Sequence, residues 1–174
     1  MPFTSPTRDH RFILDHVVDF ASVANTERYS EATPDLVDAI LGEAGKLCDE
    51  VLAPVNRAGD EHPSVLENGV VRTPPGFDTA YRAIADGGWI GLMADPKHGG
   101  MGLPLSLATS INDMMSGACL SLQLNPMLTQ GQIEALEAHA SDAIKSLYLP
   151  KLISGEWSGT MNLTEPQAGS DVGA

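Results

Sequence analysis

The residues of this chain best suited to handling a ligand fall in one window, Trp157-Ser158-Gly159-Thr160-Met161-Asn162-Leu163-Thr164-Glu165-Pro166-Gln167-Ala168-Gly169-Ser170-Asp171. An apolar run ending in Thr-Glu-Pro, followed by the small-residue turn Ala-Gly-Ser-Asp, reads as a strand end. Such an end brings backbone N–H groups and two hydroxyls close to a planar, phosphate-bearing ligand. Leu163 and Thr164 would offer backbone groups, Thr164 and Ser170 hydroxyls, and Gly169 close approach of the main chain. A glycine turn closed by Ser170 and Asp171 explains the same residues structurally, and the residue types alone leave both readings open.

Other chemistries find less support. No Gly-x-Ser-x-Gly elbow surrounds Ser170 and no histidine shares its segment, which argues against a hydrolase. The histidines at 10, 16, 62, 98 and 139 do not fall at i, i+4 spacing and the cysteines stand singly, so no metal is expected. Glu165, placed before a proline at a strand end, is a turn residue rather than a base. The loop Asp95-Pro96-Lys97-His98-Gly99-Gly100-Met101-Gly102-Leu103-Pro104 is rich in glycine but matches neither phosphate-binding spacing, and it reads as a tight connector.

Composition narrows the class. The 174 residues are 43% apolar and free of low-complexity tracts, which suits a soluble globular domain. A formal charge of −13 argues against nucleic acid or an anionic membrane surface as partner, while local amides could still hold a phosphate. No signal-peptide run opens the chain and no stretch approaches the ~20 apolar residues of a membrane span. Cys48 and Cys119 read as a buried, reduced pair, and the setting expected is cytoplasmic.

Helices must position the window. Phe12, Ile13, Val17, Phe20 and Ala21 repeat at helical spacing. Thr33 as N-cap and Pro34 at the first position open a long helix with Leu36, Val37, Ile40, Leu41, Ala44, Leu47, Cys48, Val51 and Leu52 inward, ended by Pro54. Asn68-Gly69 between apolar pairs predicts a small hairpin. A third helix runs from Phe77 to Ala85 and closes at Gly87-Gly88, and Trp89 to Met93 is a buried connector. Leu107, Ala108, Ile111, Met114, Met115 and Ala118 mark a fourth. Thr129-Gln130-Gly131-Gln132 has the form of a capping box opening a fifth through Ile133, Leu136 and Ala140. Ser141 caps a sixth with Ile144, Leu147, Tyr148 and Leu152 inward, stopping near Ser154-Gly155. From Trp157 the pattern turns strand-like with no partner strand, so the chain reads as a helical domain plus the first piece of a β domain.

The window resembles the signature of the acyl-CoA dehydrogenase family of flavoproteins, with Thr164-Glu165-Pro166 and Ala168-Gly169-Ser170-Asp171 in register. Arg8-Asp9-His10-Arg11-Phe12-Ile13-Leu14, Leu52-Ala53-Pro54-Val55-Asn56-Arg57-Ala58-Gly59-Asp60, Leu66-Glu67-Asn68-Gly69-Val70-Val71, Pro74-Pro75-Gly76-Phe77, Tyr148-Leu149-Pro150-Lys151-Leu152 and Gly155-Glu156-Trp157 resemble its larger bacterial members, the branch related to 3-methylmercaptopropionyl-CoA dehydrogenase.

The resemblance implies a mostly α fold. Residues 1–156 would form the N-terminal helical domain, with 1–32 an N-terminal extension and a small β-hairpin within it, and residues 157–174 would begin the middle β domain. It implies FAD as cofactor, with Met161, Leu163, Thr164, Gly169 and Ser170 as flavin contacts and Ser170 also a substrate contact. The Met114-Met115 pair reads first as core filling, although thioethers also suit a wall that accepts a flexible chain, and Met114, Met115 and Leu128 are the candidates for the acyl wall. The reaction implied is α,β-dehydrogenation of a fatty or thia-fatty acyl-CoA, a carboxylate taking the α proton as flavin N5 accepts the β hydride. An electron-transfer flavoprotein would take the electrons, and a homodimer or homotetramer is implied. The family's catalytic glutamate belongs to a C-terminal helical domain, so no residue of 1–174 is assigned that role and this stretch alone is expected to be inactive. An acyl-CoA oxidase or flavin monooxygenase of the same fold is an alternative, as is a non-catalytic helical binding module.

Overall fold

The computed structural model describes residues 3–169, 171 and 173. Their element order is α1 (Thr7–His16), α2 (Phe20–Ala24), α3 (Pro34–Leu47), a π-turn (Cys48–Leu52), α4 (Ala53–Glu61), β1 (Val65–Glu67), β2 (Val70–Arg72), α5 (Phe77–Asp86), α6 (Leu105–His139) and α7 (Asp142–Ile153). Short 3-10 turns occupy Glu27–Tyr29, Trp89–Gly91 and Pro96–His98. Among the described residues the fold is mostly helical with one two-stranded antiparallel sheet.

Thr33 caps α3 as its sequence predicts, the hydroxyl accepting from the Leu36 N–H with Pro34 at the first turn. Pro54 does not stop the helical path. The chain widens into the π-turn, where the Ala53 N–H reaches back five residues to the Cys48 carbonyl. Proline then enters the first turn of α4, a position that needs no N–H. Near the N-terminus, Asp19 in a left-handed conformation separates α1 from α2, so one expected helix is two. Leu14 and Phe20 are buried there, while Phe12 and Val17 stand exposed.

α6 resolves the expected fourth and fifth helices differently from their caps. Cys119 (φ −157°, ψ 86°) interrupts the helical path. Asn112 Nδ2 donates to Gln130 Oε1 and Gln123 Nε2 donates to Asn112 Oδ1, which shows that residues 120–139 fold back along residues 105–118. Thr129, expected as an N-cap, lies inside the second half and is fully buried.

Leu14, Leu41, Leu52, Ile84, Leu107, Ile111 and Leu149 share one core. Cys48 and Cys119 lie in it as free, buried thiols. Burial pushes the Cys48 thiol up to about 12.

In α7, Ser141 caps the Ile144 N–H and the helix stops at Gly155 (φ 76°). Its buried residues are Leu149, Leu152 and Ile153, whereas Ile144, Leu147 and Tyr148 are exposed. The docked edge is turned because Ile153 packs tightly onto Gly91, where a Cβ would lie 2.7 Å from Ile153 Cγ2.

The hairpin pairs Leu66 with Val71 around Asn68-Gly69, both at positive φ. The glycine-rich connector spends its amides on itself. The N–H groups of residues 98–103 donate to carbonyls between Gly91 and Pro96, and the Lys97 N–H donates to Asp95 Oδ1. None of these is left for a phosphate, and a Cβ at Gly100 would collide with the Ala94 carbonyl oxygen.

Candidate functional site

The ligand-handling window leaves α7 through a series of anchors. Past Gly155, where a Cβ would meet Ala85 Cβ at 2.7 Å, the Trp157 N–H donates to the Lys151 carbonyl. The Trp157 ring lies under Lys151 Nζ (4.5 Å to its centroid) and edge-on to Tyr148 (5.6 Å).

Ser158 and Gly159 are then gripped by α5 and α6. Tyr81 Oη is 3.1 Å from the Gly155 carbonyl and 3.2 Å from Ser158 Oγ, which donates to Asn125 Oδ1 at 3.2 Å. The Gly159 N–H donates to Thr129 Oγ1 at 3.0 Å, and that hydroxyl donates to the Asn125 carbonyl at 3.1 Å. Gly159 is buried against Gln132, whose Oε1 a Cβ at this position would strike. A cleft of about 400 Å³ opens beside the clamp, lined by Phe77, Tyr81, Ser121, Leu122, Asn125 and Ser158.

Beyond Gly159 the chain runs outward. The N–H groups of residues 160–164 have no hydrogen-bond partner among the described residues. Met161 and Leu163 are 65% and 51% exposed, and Thr164 is exposed. Among the described residues the extended segment pairs with no strand. Its one bridge closes a turn, Glu165 and Ala168 exchanging N–H to carbonyl bonds of 3.0 and 3.2 Å. Glu165 thus serves as a turn residue. Gly169 is exposed, and among the described residues only Thr164 Cγ2 comes near a hypothetical Cβ, at 3.9 Å. Ser170 lies outside the described residues.

Met161, Leu163, Thr164 and Gly169 therefore share one outward stretch. Met114 and Met115 are elsewhere, each 1% exposed in the core, and Leu128 is half-buried on α6. Beside Leu128 stands a row not anticipated from the sequence, Leu120, Leu124 and Met127, all exposed. Its signal is the 4- and 3-residue spacing, which also fits a core stripe. Tyr81, Asn125, Thr129 and Gln132 were missed as well, because contacts 27 to 77 residues apart leave no local pattern.

Open backbone amides, outward apolar side chains and a glycine that admits close approach suit the isoalloxazine and phosphates of a flavin. Among the described residues, no three His, Cys, Asp or Glu side chains cluster as a metal site, and no helix is long and apolar enough to cross a membrane.

Comparison with known proteins agrees with the helical frame. The family model for the acyl-CoA dehydrogenase N-terminal domain matches residues 34–156. The chain is 45% identical over 172 residues to 3-methylmercaptopropionyl-CoA dehydrogenase of Ruegeria pomeroyi, covering 99% of this chain and 29% of that protein. It is 35% identical over 171 residues to butyryl-CoA dehydrogenase of Syntrophomonas wolfei, covering 96% and 28%. It thus spans less than a third of the length of these relatives. In fold it resembles a chain solved in a study of the electron transferring flavoprotein of Acidaminococcus fermentans, with a TM-score of 0.65 over 82% of this chain and 34% of that one at 20% identity. The match across α3 to the end of α7 places the chain in the acyl-CoA dehydrogenase family, as an N-terminal domain of that family.

Proposed function

We propose that this chain supplies the N-terminal helical domain (residues 1–156, with 1–32 an extension) and the start of the middle β domain (157–174) of an FAD-dependent acyl-CoA dehydrogenase. Its substrate is an acyl-CoA thioester of fatty or 3-methylmercaptopropionyl type, and the product carries an α,β double bond. The observation that carries this reading is the outward run 160–164, whose amides are unused by the described residues and whose base is held by the buried Gly159–Thr129 hydrogen bond.

In this reading Met161 and Leu163 present apolar surface to the flavin ring, Thr164 adds a hydroxyl and Gly169 admits the phosphates. Ser170 contacts both flavin and acyl-CoA. FAD, when bound, supplies the two-electron oxidation. The acyl group lies along Leu128 and the exposed row Leu120, Leu124 and Met127, whereas Met114 and Met115, buried in the core, do not reach it. The catalytic base is assigned outside residues 1–174. An electron-transfer flavoprotein is the electron acceptor, and the enzyme is a cytoplasmic homodimer or homotetramer.

The test uses the protein expressed at the full length of its reading frame and supplied with FAD. Anaerobic addition of butyryl-CoA or 3-methylmercaptopropionyl-CoA is expected to bleach the flavin absorbance, with reoxidation by an artificial acceptor faster than by oxygen. Colourless protein with no affinity for acyl-CoA would overturn the reading, and rapid reoxidation by oxygen would reassign it to an oxidase or monooxygenase. Residues 1–174 expressed alone are expected neither to retain FAD nor to turn over substrate.

A further inference from the structure

We infer that Thr129 is a positioning residue for the flavin-contacting segment, and that the turns of α6 around it transmit the presence of an acyl group to that segment; this rests on the flavin reading above. Thr129 is 0% exposed. A threonine inside a helix commonly returns its hydroxyl proton to the carbonyl four residues back, and Thr129 does so to Asn125. Its oxygen also accepts the Gly159 N–H, a contact that serves no helix. Both hydrogen-bonding capacities fix the hydroxyl, and through it the main chain two residues before Met161.

The neighbouring turns act on the same spot. Asn125 Oδ1 holds Ser158 Oγ one turn earlier, and Gln132 lies against Gly159 one turn later, leaving no room for a Cβ. At ~100° per residue, positions 125, 129 and 132 fall within about 60° of one another, and Leu120, Leu124 and Met127 form a second group centred roughly 140° away around the helix. One rigid segment therefore bears the clamp on one face and the exposed apolar row on another. A close-packed helix moves as a unit, so an acyl chain pressing on the row displaces the clamp. Displacements of about 1 Å are enough to alter how a cofactor is met.

Thr129→Val removes the acceptor with little change of volume, Thr129→Ser retains it, and Ser158→Ala weakens the clamp at an exposed position. Each is measured in the full-length protein for amide hydrogen exchange of residues 158–164, for FAD affinity by fluorescence titration, and for the flavin difference spectrum produced by a non-oxidisable acyl-CoA thioether. Thr129→Val should speed exchange and weaken FAD binding by roughly 10-fold each, as loss of one buried hydrogen bond predicts. The difference spectrum should fall by more than half while thioether affinity changes less than about twofold. Thr129→Ser should restore wild-type values, and Ser158→Ala should move them part of the way. If Thr129→Val lowers thermal stability but leaves FAD affinity and the difference spectrum as in wild type, Thr129 is structural and the inference fails alone. Wild-type protein that takes up no FAD overturns the flavin reading itself. Should Thr129→Val not fold, unchanged FAD binding and spectrum in Ser158→Ala overturn the inference.

Discussion

Asn112 Nδ2 lies 2.9 Å from Gln130 Oε1, although eighteen residues separate them along α6. In an uninterrupted helix that separation is ~27 Å, so the contact exists only because the chain reverses at Cys119. Asn112 Oδ1 accepts from Gln123 Nε2 at 3.0 Å, and Gln130 Nε2 donates to the Trp89 carbonyl at 3.1 Å. Three amide side chains thus tie the two halves of α6 to the buried connector. Because Asn112 is common to two of the bonds, it sets the register of the pair.

Asn112→Ala should therefore be costly. It strands Gln130 Oε1 and Gln123 Nε2 in a buried setting, and leaving such groups unpaired costs about 1–3 kcal/mol each. Urea unfolding should show a loss of roughly 2–4 kcal/mol on that basis, with the slope unchanged. A loss below about 0.5 kcal/mol would mean that water replaces the network.

Two glycines of α3, three residues apart, should respond with opposite signs. A Cβ at Gly42 meets nothing within 4 Å, whereas one at Gly45 lies 2.9 Å from Thr7 Cγ2 and 3.5 Å from Ser5 Cβ. Gly42→Ala should stabilise by about 0.5–1 kcal/mol through the lower entropy of the unfolded chain. Gly45→Ala should lose about 1 kcal/mol, since overpacking against α1 outweighs that gain. Thermal melts of both variants check the contrast.

The Cys48 thiol, raised to about 12 by burial, should resist a thiol reagent at neutral pH until the protein is unfolded. The raised value also bears on alkaline stability. Protonated Cys48 favours the folded state, fully so below the thiol's ordinary value of 9.0, and this contribution is lost as pH rises toward 12. The melting temperature of wild type minus that of Cys48→Ala should thus fall between those two pH values. A flat difference would contradict it.

Leu124, 47% exposed, should tolerate a charge in the fold but not in an acyl-binding wall. Leu124→Asp is expected to shift the melting temperature little, as exposed substitutions usually stay within about 0.5 kcal/mol. In steady-state assays of the full-length enzyme it should raise the KM for butyryl-CoA by about 10-fold or more, from the cost of placing a carboxylate against an alkyl chain. An unchanged KM would remove the row from the wall.

Local chemistry made several elements legible. Thr33-Pro34 started α3, Asn68-Gly69 turned the hairpin, Ser141 capped α7, and paired glycines followed α5. Each signal acts within four residues, so sequence contains all of its physics. Readings failed where an irregular turn or a distant partner overrode the expected cue. Pro54 reads as a stop until the π-turn carries the chain past it. Thr129 reads as a cap until its hydroxyl is seen holding Gly159. The stripe of α7 reads as Ile144, Leu147 and Tyr148 until Gly91 draws Ile153 inward.

By itself, the sequence determined a helical domain of a recognisable family and a window with the residue types of a flavin contact. Periodicity, caps and motif spacing are properties of neighbouring residues, and they survive without a fold. Only the tertiary structure decided that α6 doubles back at Cys119, that Tyr81, Asn125 and Thr129 grip the start of the window, and that Met161 and Leu163 face outward. These depend on hydrogen bonds between residues up to 77 positions apart. Such bonds form only after the hydrophobic core has brought the helices together, so no stretch of sequence records them.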